Sequence, residues 1–241
     1  MPFQISAVGR SDRGRIRSKN EDAMAVEPSM GIVIVADGMG GAPAGEVASA
    51  LAVQEVCRGL HSGLGLREAI LGANERVLSL ATRESELFGM GTTLTALRVE
   101  ADSGAFEGGH VGDSRAYRLN RDRLVQITRD HTVVAGMVEA GTLSPSEARG
   151  HHLGHILSRA LGTEEDLEVE VFLGVVEEGD RFLLCSDGLM RVMEDQDVEE
   201  WLQRSREKDL EDVVRLWVDE ANRRGAPDNV TVAILGVEAR G

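Results

Sequence analysis

Acidic residues that follow apolar runs recur along this 241-residue chain and constrain its fold more than any other feature. The apolar run 32–36 leads directly into Asp37-Gly38, and the run 182–185 leads into Ser186-Asp187-Gly188. Other acidic residues occupy turn-forming contexts, namely Glu21, Asp22, Asp113 and Asp228. A single strand that ends in Asp-Gly is ordinary turn chemistry. Several such endings in one chain indicate strand ends that converge on hard cations, which prefer carboxylate, carbonyl and water oxygens.

Composition excludes several classes of protein. Lys and Arg number 26 against 41 Asp and Glu, a formal charge of −15, which disfavours nucleic acid and anionic membranes as partners. The 2 cysteines cannot form a disulfide framework. The N-terminal residues lack the pattern of a secretion signal, and no apolar run approaches the length of a membrane span. We therefore expect a cytoplasmic protein.

Periodicity favours antiparallel sheets with helices outside them. Short strands bounded by Gly, Asp or Asn are predicted at 3–9, 32–37, 93–99, 105–111, 115–119, 123–128, 168–174, 180–185 and 230–237. Apolar residues at helical spacing predict helices at 44–60, 66–83 and 195–204 and a further helical stripe over 210–221. Within 129–162 two short helices interrupt the series of strands. We predict one α+β domain over residues 1–241, with 129–162 as a helical insertion.

Buried aspartates that lie together require a compensating charge, because like charges in a low dielectric raise each other's pKa. Divalent metal is the simplest compensation. Two metal ions about 3.5–4 Å apart can activate a water molecule for in-line attack on phosphorus. Arginine holds phosphate oxygens through two nitrogens, and Arg17, shortly before Glu21 and Asp22, is a candidate for that role.

Six segments in series carry a family resemblance over about residues 5–237. They are Arg-x-x-Asn-Glu-Asp from Arg17, Ala-Asp-Gly-Met-Gly-Gly from Ala36, Gly-Met-Gly-Thr-Thr from Gly89, Val-Gly-Asp-Ser-Arg from Val111, Cys-Ser-Asp-Gly-Leu from Cys185 and Pro-Asp-Asn-Val-Thr from Pro227. In this order they resemble the protein phosphatase 2C family of metal-dependent Ser/Thr phosphatases, and its compact bacterial branch in particular. The resemblance implies a four-layer αββα sandwich, two antiparallel sheets flanked by helix pairs, with metal at one end.

The resemblance also implies roles for individual residues. Asp37 bridges two metal ions, Mn²⁺ or Mg²⁺, and the Gly38 carbonyl binds the first of them. Asp187 and Asp228 complete the second, while Glu21 and Asp22 act mostly through water. Asp113 with Asp187 matches the ligands of a third, weaker metal, and Arg17 matches the arginine that binds the substrate phosphate. The implied reaction is hydrolysis of phosphoserine and phosphothreonine by direct attack of a metal-bridging hydroxide, and residues 129–162 match the flap beside the active site.

One departure from the family pattern leaves alternatives open. Many relatives have a histidine, proposed as the general acid, at the position of Ala42. Either another group, for example metal-bound water or His131, supplies the proton, or turnover of alkyl phosphoesters is weak. The alternative function is therefore a catalytically weak pseudophosphatase that binds phosphoproteins. The expected partners are phosphoproteins, a Ser/Thr kinase or its substrates, and a monomer is expected.

Overall fold

A computed structural model describes residues 3–39, 44–121, 123–148, 150–204 and 208–240. Two antiparallel sheets form its centre. The first sheet has the order β1-β11-β10-β7-β8, from the strands Phe3–Asp12, Val230–Ala239, Arg181–Cys185, Arg115–Asn120 and Arg123–Gln126. The second has the order β2-β3-β5-β6-β9, from Asp22–Glu27, Ile32–Met39, Leu94–Val99, Ala105–Val111 and Glu170–Val175, and β4, Gly91–Thr92, pairs with β3.

Seven helices are found within the described residues. They are α1 Gly45–His61, α2 Leu66–Arg83, α3 Val133–Glu139, α4 Pro145–Ala148, α5 Asp187–Met190, α6 Asp195–Arg204 and α7 Leu210–Arg223. The pair α1 and α2 covers the second sheet, and α5, α6 and α7 cover the first. This arrangement confirms the predicted α+β sandwich. Among the described residues, no helix combines the length and the apolar character needed to cross a bilayer.

Alternation along the strands divides the apolar residues into three layers. On β3, Ile32 and Ile34 face α1 and α2, while Val33 and Val35 pack between the two sheets. On β10, Leu183 and Cys185 pack with α7, while Phe182 and Leu184 face the layer between the sheets. These strands are therefore apolar on both faces, which explains their uninterrupted apolar runs.

Most predicted elements are present, and their ends move by a few residues. β2, the two-residue strand β4 and the single-turn helix α5 were not predicted. The insertion predicted at 129–162 contains α3 and α4 and is closed at its base by backbone hydrogen bonds. Val133 N–H donates to Ile156 O at 2.8 Å, and Ser158 N–H donates to His131 O at 2.9 Å.

Candidate metal centre

Two opposed aspartates begin the site. β2 and β3 pair with Asp22 directly opposite Asp37. Residues opposed in an antiparallel pair project from the same face of the sheet, where like charges repel. Asp37 follows Val33 and Val35 in the strand alternation, so its side chain belongs to the polar end of the layer between the sheets.

The other sheet contributes the hydroxyl groups that face Asp22. Ser186 Oγ donates to Asp22 Oδ2 at 2.7 Å, and Thr231 Oγ1 donates to the same oxygen at 2.6 Å. The second oxygen, Asp22 Oδ1, is buried and has no hydrogen-bond partner. Burying a carboxylate oxygen without a donor is costly, so this orphaned oxygen suits a cation ligand.

Asp187 and Asp228 approach each other where β10 ends and β11 begins. Asp187 opens α5, and Asp228 lies two residues before β11. Gly188 makes the approach close, because a Cβ there would lie 1.9 Å from the carbonyl oxygen of Asn229. Asn229 also fixes the first acidic segment, since its Oδ1 accepts from Glu21 N–H at 2.8 Å.

Glu21 and the Gly38 carbonyl meet beside the first turn of α1. Gly38 N–H donates to Glu21 O at 3.1 Å. A Cβ on Gly45 would lie 2.9 Å from Gly38 O and 3.2 Å from the Glu21 carboxyl carbon. Only a glycine at position 45 leaves room for both the Gly38 carbonyl and the Glu21 carboxylate at this place.

The pKa values of the aspartates are raised by burial and by electrostatic repulsion from neighbouring carboxylates. Burial, and then the charges of Asp22 and Asp187, raise the pKa of Asp37 well above its ordinary value. Burial raises the pKa of Asp22 to about 7 against the lowering effect of the Thr231 and Ser186 hydroxyls. Burial, followed by the charge of Asp187, raises the pKa of Asp113 to about 7. The structure thus brings these carboxylates into one electrostatic unit.

Two arginines neutralise part of that unit. Arg17 Nη2 donates to Asp228 Oδ2 at 2.7 Å, and this hydrogen bond raises the pKa of Arg17. Arg191 contacts Asp187 Oδ2 through Nε at 3.0 Å and Nη2 at 2.7 Å. Within the described part of the chain, no three His, Cys, Asp or Glu side chains are arranged to hold a metal as they stand.

The donor set nevertheless fits a hard divalent cation. It consists of carboxylates and a backbone carbonyl, with the unpartnered Asp22 Oδ1 among them. The site residues predicted from the sequence, Arg17, Glu21, Asp22, Asp37, Gly38, Asp113, Asp187 and Asp228, all lie at this end of the sandwich. Their ligand roles remain predictions.

Several residues that hold the site together were not predicted, namely Ser186, Thr231, Asn229, Thr93 and Arg191. Thr93 Oγ1 accepts from Asp37 N–H at 2.9 Å and lies 2.7 Å from Ser114 Oγ. The spacing of Arg191 four residues after Asp187 was the available signal, since such pairs meet on a helix.

His131 is engaged on both ring nitrogens. Its Nδ1 accepts from Gly112 N–H at 3.2 Å, and Nε2 lies 3.2 Å from Glu170 Oε2. A neutral ring that accepts at Nδ1 carries its proton at Nε2, which faces Glu170. This arrangement disfavours His131 as the proton donor to a leaving group. Ala42, the position of the absent histidine, lies outside the described residues.

The fold and donor set together define an α+β sandwich with a carboxylate site at one end, and known proteins share this design. The model of the family described as Protein phosphatase 2C matches residues 9–222. The serine/threonine phosphatase stp of Listeria welshimeri is 37% identical over 239 residues, covering 94% of this chain and 93% of that protein. The chain belongs to the protein phosphatase 2C family.

Solved structures agree with this assignment. The Mycobacterium tuberculosis serine/threonine phosphatase PstP/Ppp has a TM-score of 0.87 at 35% identity, covering 97% of this chain and 99% of that one. The catalytic domain of the phosphatase PstP in complex with 2 manganese ions has a TM-score of 0.86 at 34% identity, covering 98% and 99%.

Proposed function

We propose that this protein is a metal-dependent phosphatase that hydrolyses phosphoserine and phosphothreonine in proteins. The observation that supports it most is the set of carboxylates from both sheets, gathered beside Arg17. Its relatives are named serine/threonine phosphatases, and the pseudophosphatase alternative receives no support from them.

The proposed cofactor is Mn²⁺ or Mg²⁺, two ions per chain with a third held more weakly. Asp37, the Gly38 carbonyl, Asp187 and Asp228 would hold the two ions, Glu21 and Asp22 would act mostly through water, and Asp113 with Asp187 would hold the third. When bound, such ions lower the pKa of water and neutralise the charge of a phosphoryl group.

The chain's own residues position the substrate and the ligands. Arg17 is 45% exposed and lies against Asp228, so its guanidinium can turn to phosphoryl oxygens. Ser186 and Thr231 hold Asp22 in place, and Thr93 holds the backbone at Asp37. Residues 129–162 are the proposed flap beside the site, within one domain over residues 1–241. We propose phosphoproteins as partners, a Ser/Thr kinase or its substrates, in the cytoplasm, for a monomeric enzyme.

Hydrolysis of a phosphothreonine peptide tests this function. We expect turnover with Mn²⁺, its loss with chelator, and a loss of about 10²-fold or more in kcat/KM for Asp187→Ala, because a ligand is removed. Asp102→Ala, in an exposed turn, is the matched control. Wild-type turnover that survives chelation, or that Asp187→Ala retains in full, would exclude the proposal.

A further inference from the structure

Arg191 is a second guanidinium within the acidic site, and the proposed reaction assigns it no role. Its Nε and Nη2 lie 3.0 and 2.7 Å from Asp187 Oδ2, and Nη2 lies 3.5 Å from Asp228 Oδ2. The Arg191 side chain is 40% exposed, against 21% for Asp187 and 12% for Asp228. One exposed guanidinium therefore contacts two less accessible carboxylates, one in α5 and one in the loop before β11.

The contact is built into the local sequence. Asp187 is the first residue of α5 and Arg191 follows the last, so the two side chains meet across one helical turn. Arg191 N–H donates to Asp187 O at 3.0 Å, which fixes the backbone of that turn. Burial, the largest single influence, lowers the pKa of Arg191, but the charge of Asp187, its hydrogen bond and then the charges of Asp228 and Asp37 together raise that pKa above its ordinary value.

Arg191 and a divalent cation need the same carboxylates. A metal ligated by Asp187 and Asp228 brings two positive charges to the place that the guanidinium now neutralises, and like charges repel strongly at contact distance. Binding of the ion therefore breaks or weakens the Arg191 ion pairs. The favourable free energy of those pairs is lost, so the net free energy of metal binding is less favourable.

We propose that Arg191 is an intramolecular competitor of the metal, which neutralises Asp187 and Asp228 while no ion is held and weakens divalent-metal binding. This inference rests on the proposed function for the identity of the ligands. With Arg191 present, a higher concentration of free metal is needed to fill the site than the carboxylates alone would require.

Calorimetric titration of the metal-free full chain with Mn²⁺ tests the proposal. For Arg191→Gln we expect the Kd to fall about five- to tenfold, the scale expected of a partly exposed ion pair that contacts two carboxylates. Arg191→Lys keeps the charge but loses the two-nitrogen contact, so its Kd falls by less. Arg204→Gln removes the same charge from another i,i+4 pair, with Glu200, which is 71% and 53% exposed, and leaves the Kd unchanged.

Thermal unfolding supplies an independent measurement. In chelator, Arg191→Gln is expected to lower the midpoint by about 2–4 °C, because Asp187 and Asp228 lose their counter-charge. Saturating Mn²⁺ should then raise the midpoint of Arg191→Gln by more than that of wild type.

The outcomes separate this inference from the proposed function. Wild-type Mn²⁺ binding with an unchanged or raised Kd in Arg191→Gln overturns the competitor role alone. No detectable Mn²⁺ binding by wild type and by Arg191→Gln overturns both proposals. A fall in Kd that Arg204→Gln reproduces shows a general effect of net charge and also overturns the competitor role.

Discussion

At the scale of single residues, the site concentrates carboxylates that the fold alone does not favour. Asp37 lies opposite Asp22, and its pKa is raised by burial and then by four neighbouring carboxylates. Such an arrangement destabilises the metal-free protein, because each charge is desolvated among others of the same sign. Stability without metal and competence to bind metal therefore oppose each other at this position.

Asp37→Asn is expected to stabilise the metal-free protein. The amide keeps the size of the side chain and removes the cost of burying an acidic group among other carboxylates, so we expect the midpoint of thermal unfolding in chelator to rise by about 2–4 °C. The same variant should lose most of the Mn²⁺-induced shift. The exposed Asp102→Asn is the control, and a lower midpoint for Asp37→Asn would contradict the account.

At the scale of elements, close approach of backbone segments places the proposed ligand residues. Gly188 lets α5 touch the loop before β11, where a Cβ would lie 1.9 Å from Asn229 O. Gly72, inside α2, has no atom within 4 Å of such a Cβ. The same substitution should therefore act in opposite directions at these two positions.

Gly188→Ala is expected to lower the free energy of unfolding by about 2 kcal/mol or more, because a rigid backbone oxygen must move. Gly72→Ala is expected to raise it by about 0.5–1 kcal/mol, because alanine favours the helix. Urea unfolding measures both. Equal effects of the two substitutions would show that the contact at Gly188 is unimportant.

His110 on β6 gives a pH dependence of stability at the junction of two segments. Its Nε2 donates to Arg129 O at 3.0 Å, and its Nδ1 lies 2.8 Å from Thr95 Oγ1. Burial, and then the nearby His131, lower the pKa of His110 from 6.5 to about 4. A histidine whose pKa is lowered by folding binds fewer protons when folded, so stability is lost as the pH falls below about 6.5.

The contribution of His110 to this loss is on the order of 3 kcal/mol by pH 4. His110→Gln should flatten the decline of stability between pH 6.5 and 4, measured by urea unfolding. The exposed His155→Gln serves as the control and should keep the wild-type slope. An unchanged slope in His110→Gln would assign the decline to other groups.

Individual elements show which structural features could be predicted from the sequence and which could not. The uninterrupted apolar run 32–36 identifies β3, because both faces of that strand are buried. β2 was missed because each of its residues is only partly buried, so its alternation is weak. The acidic positions were predictable from their order along the chain. The contact of Arg191 with Asp187 was also predictable, from its i,i+4 spacing, but the contact of Arg191 with Asp228 was not, since it arises only when distant segments meet.

At the scale of the whole molecule, the site joins the two sheets. Asp22 and Asp37 belong to the second sheet, while Asp187 and Asp228 flank strands of the first. Ser186 and Thr231 already link the sheets through Asp22 Oδ2. A cation held by ligands from both sides would add a second link at the same end.

Mn²⁺ is therefore expected to stabilise the whole sandwich cooperatively. When the free metal concentration is 100 times the Kd, a single site adds about 2.7 kcal/mol to the free energy of unfolding, and chelator removes that contribution. Hydrogen exchange should slow in strands of both sheets together when Mn²⁺ is added. Protection confined to β2 and β3 would contradict a link between the sheets.

The hydrogen-bonded base of the insertion has a consequence for how the sequence of this segment could vary among relatives. Val133 and His131 pair through the backbone with Ile156 and Ser158, and Leu161 exchanges two backbone hydrogen bonds with Thr92. Main-chain hydrogen bonds hold the two ends of the insertion together whatever side chains its exposed residues carry, whereas Val134, close to the base, is buried. Residues 133–156 could thus be exchanged as a unit between relatives while the strands that carry the carboxylate cluster keep their positions.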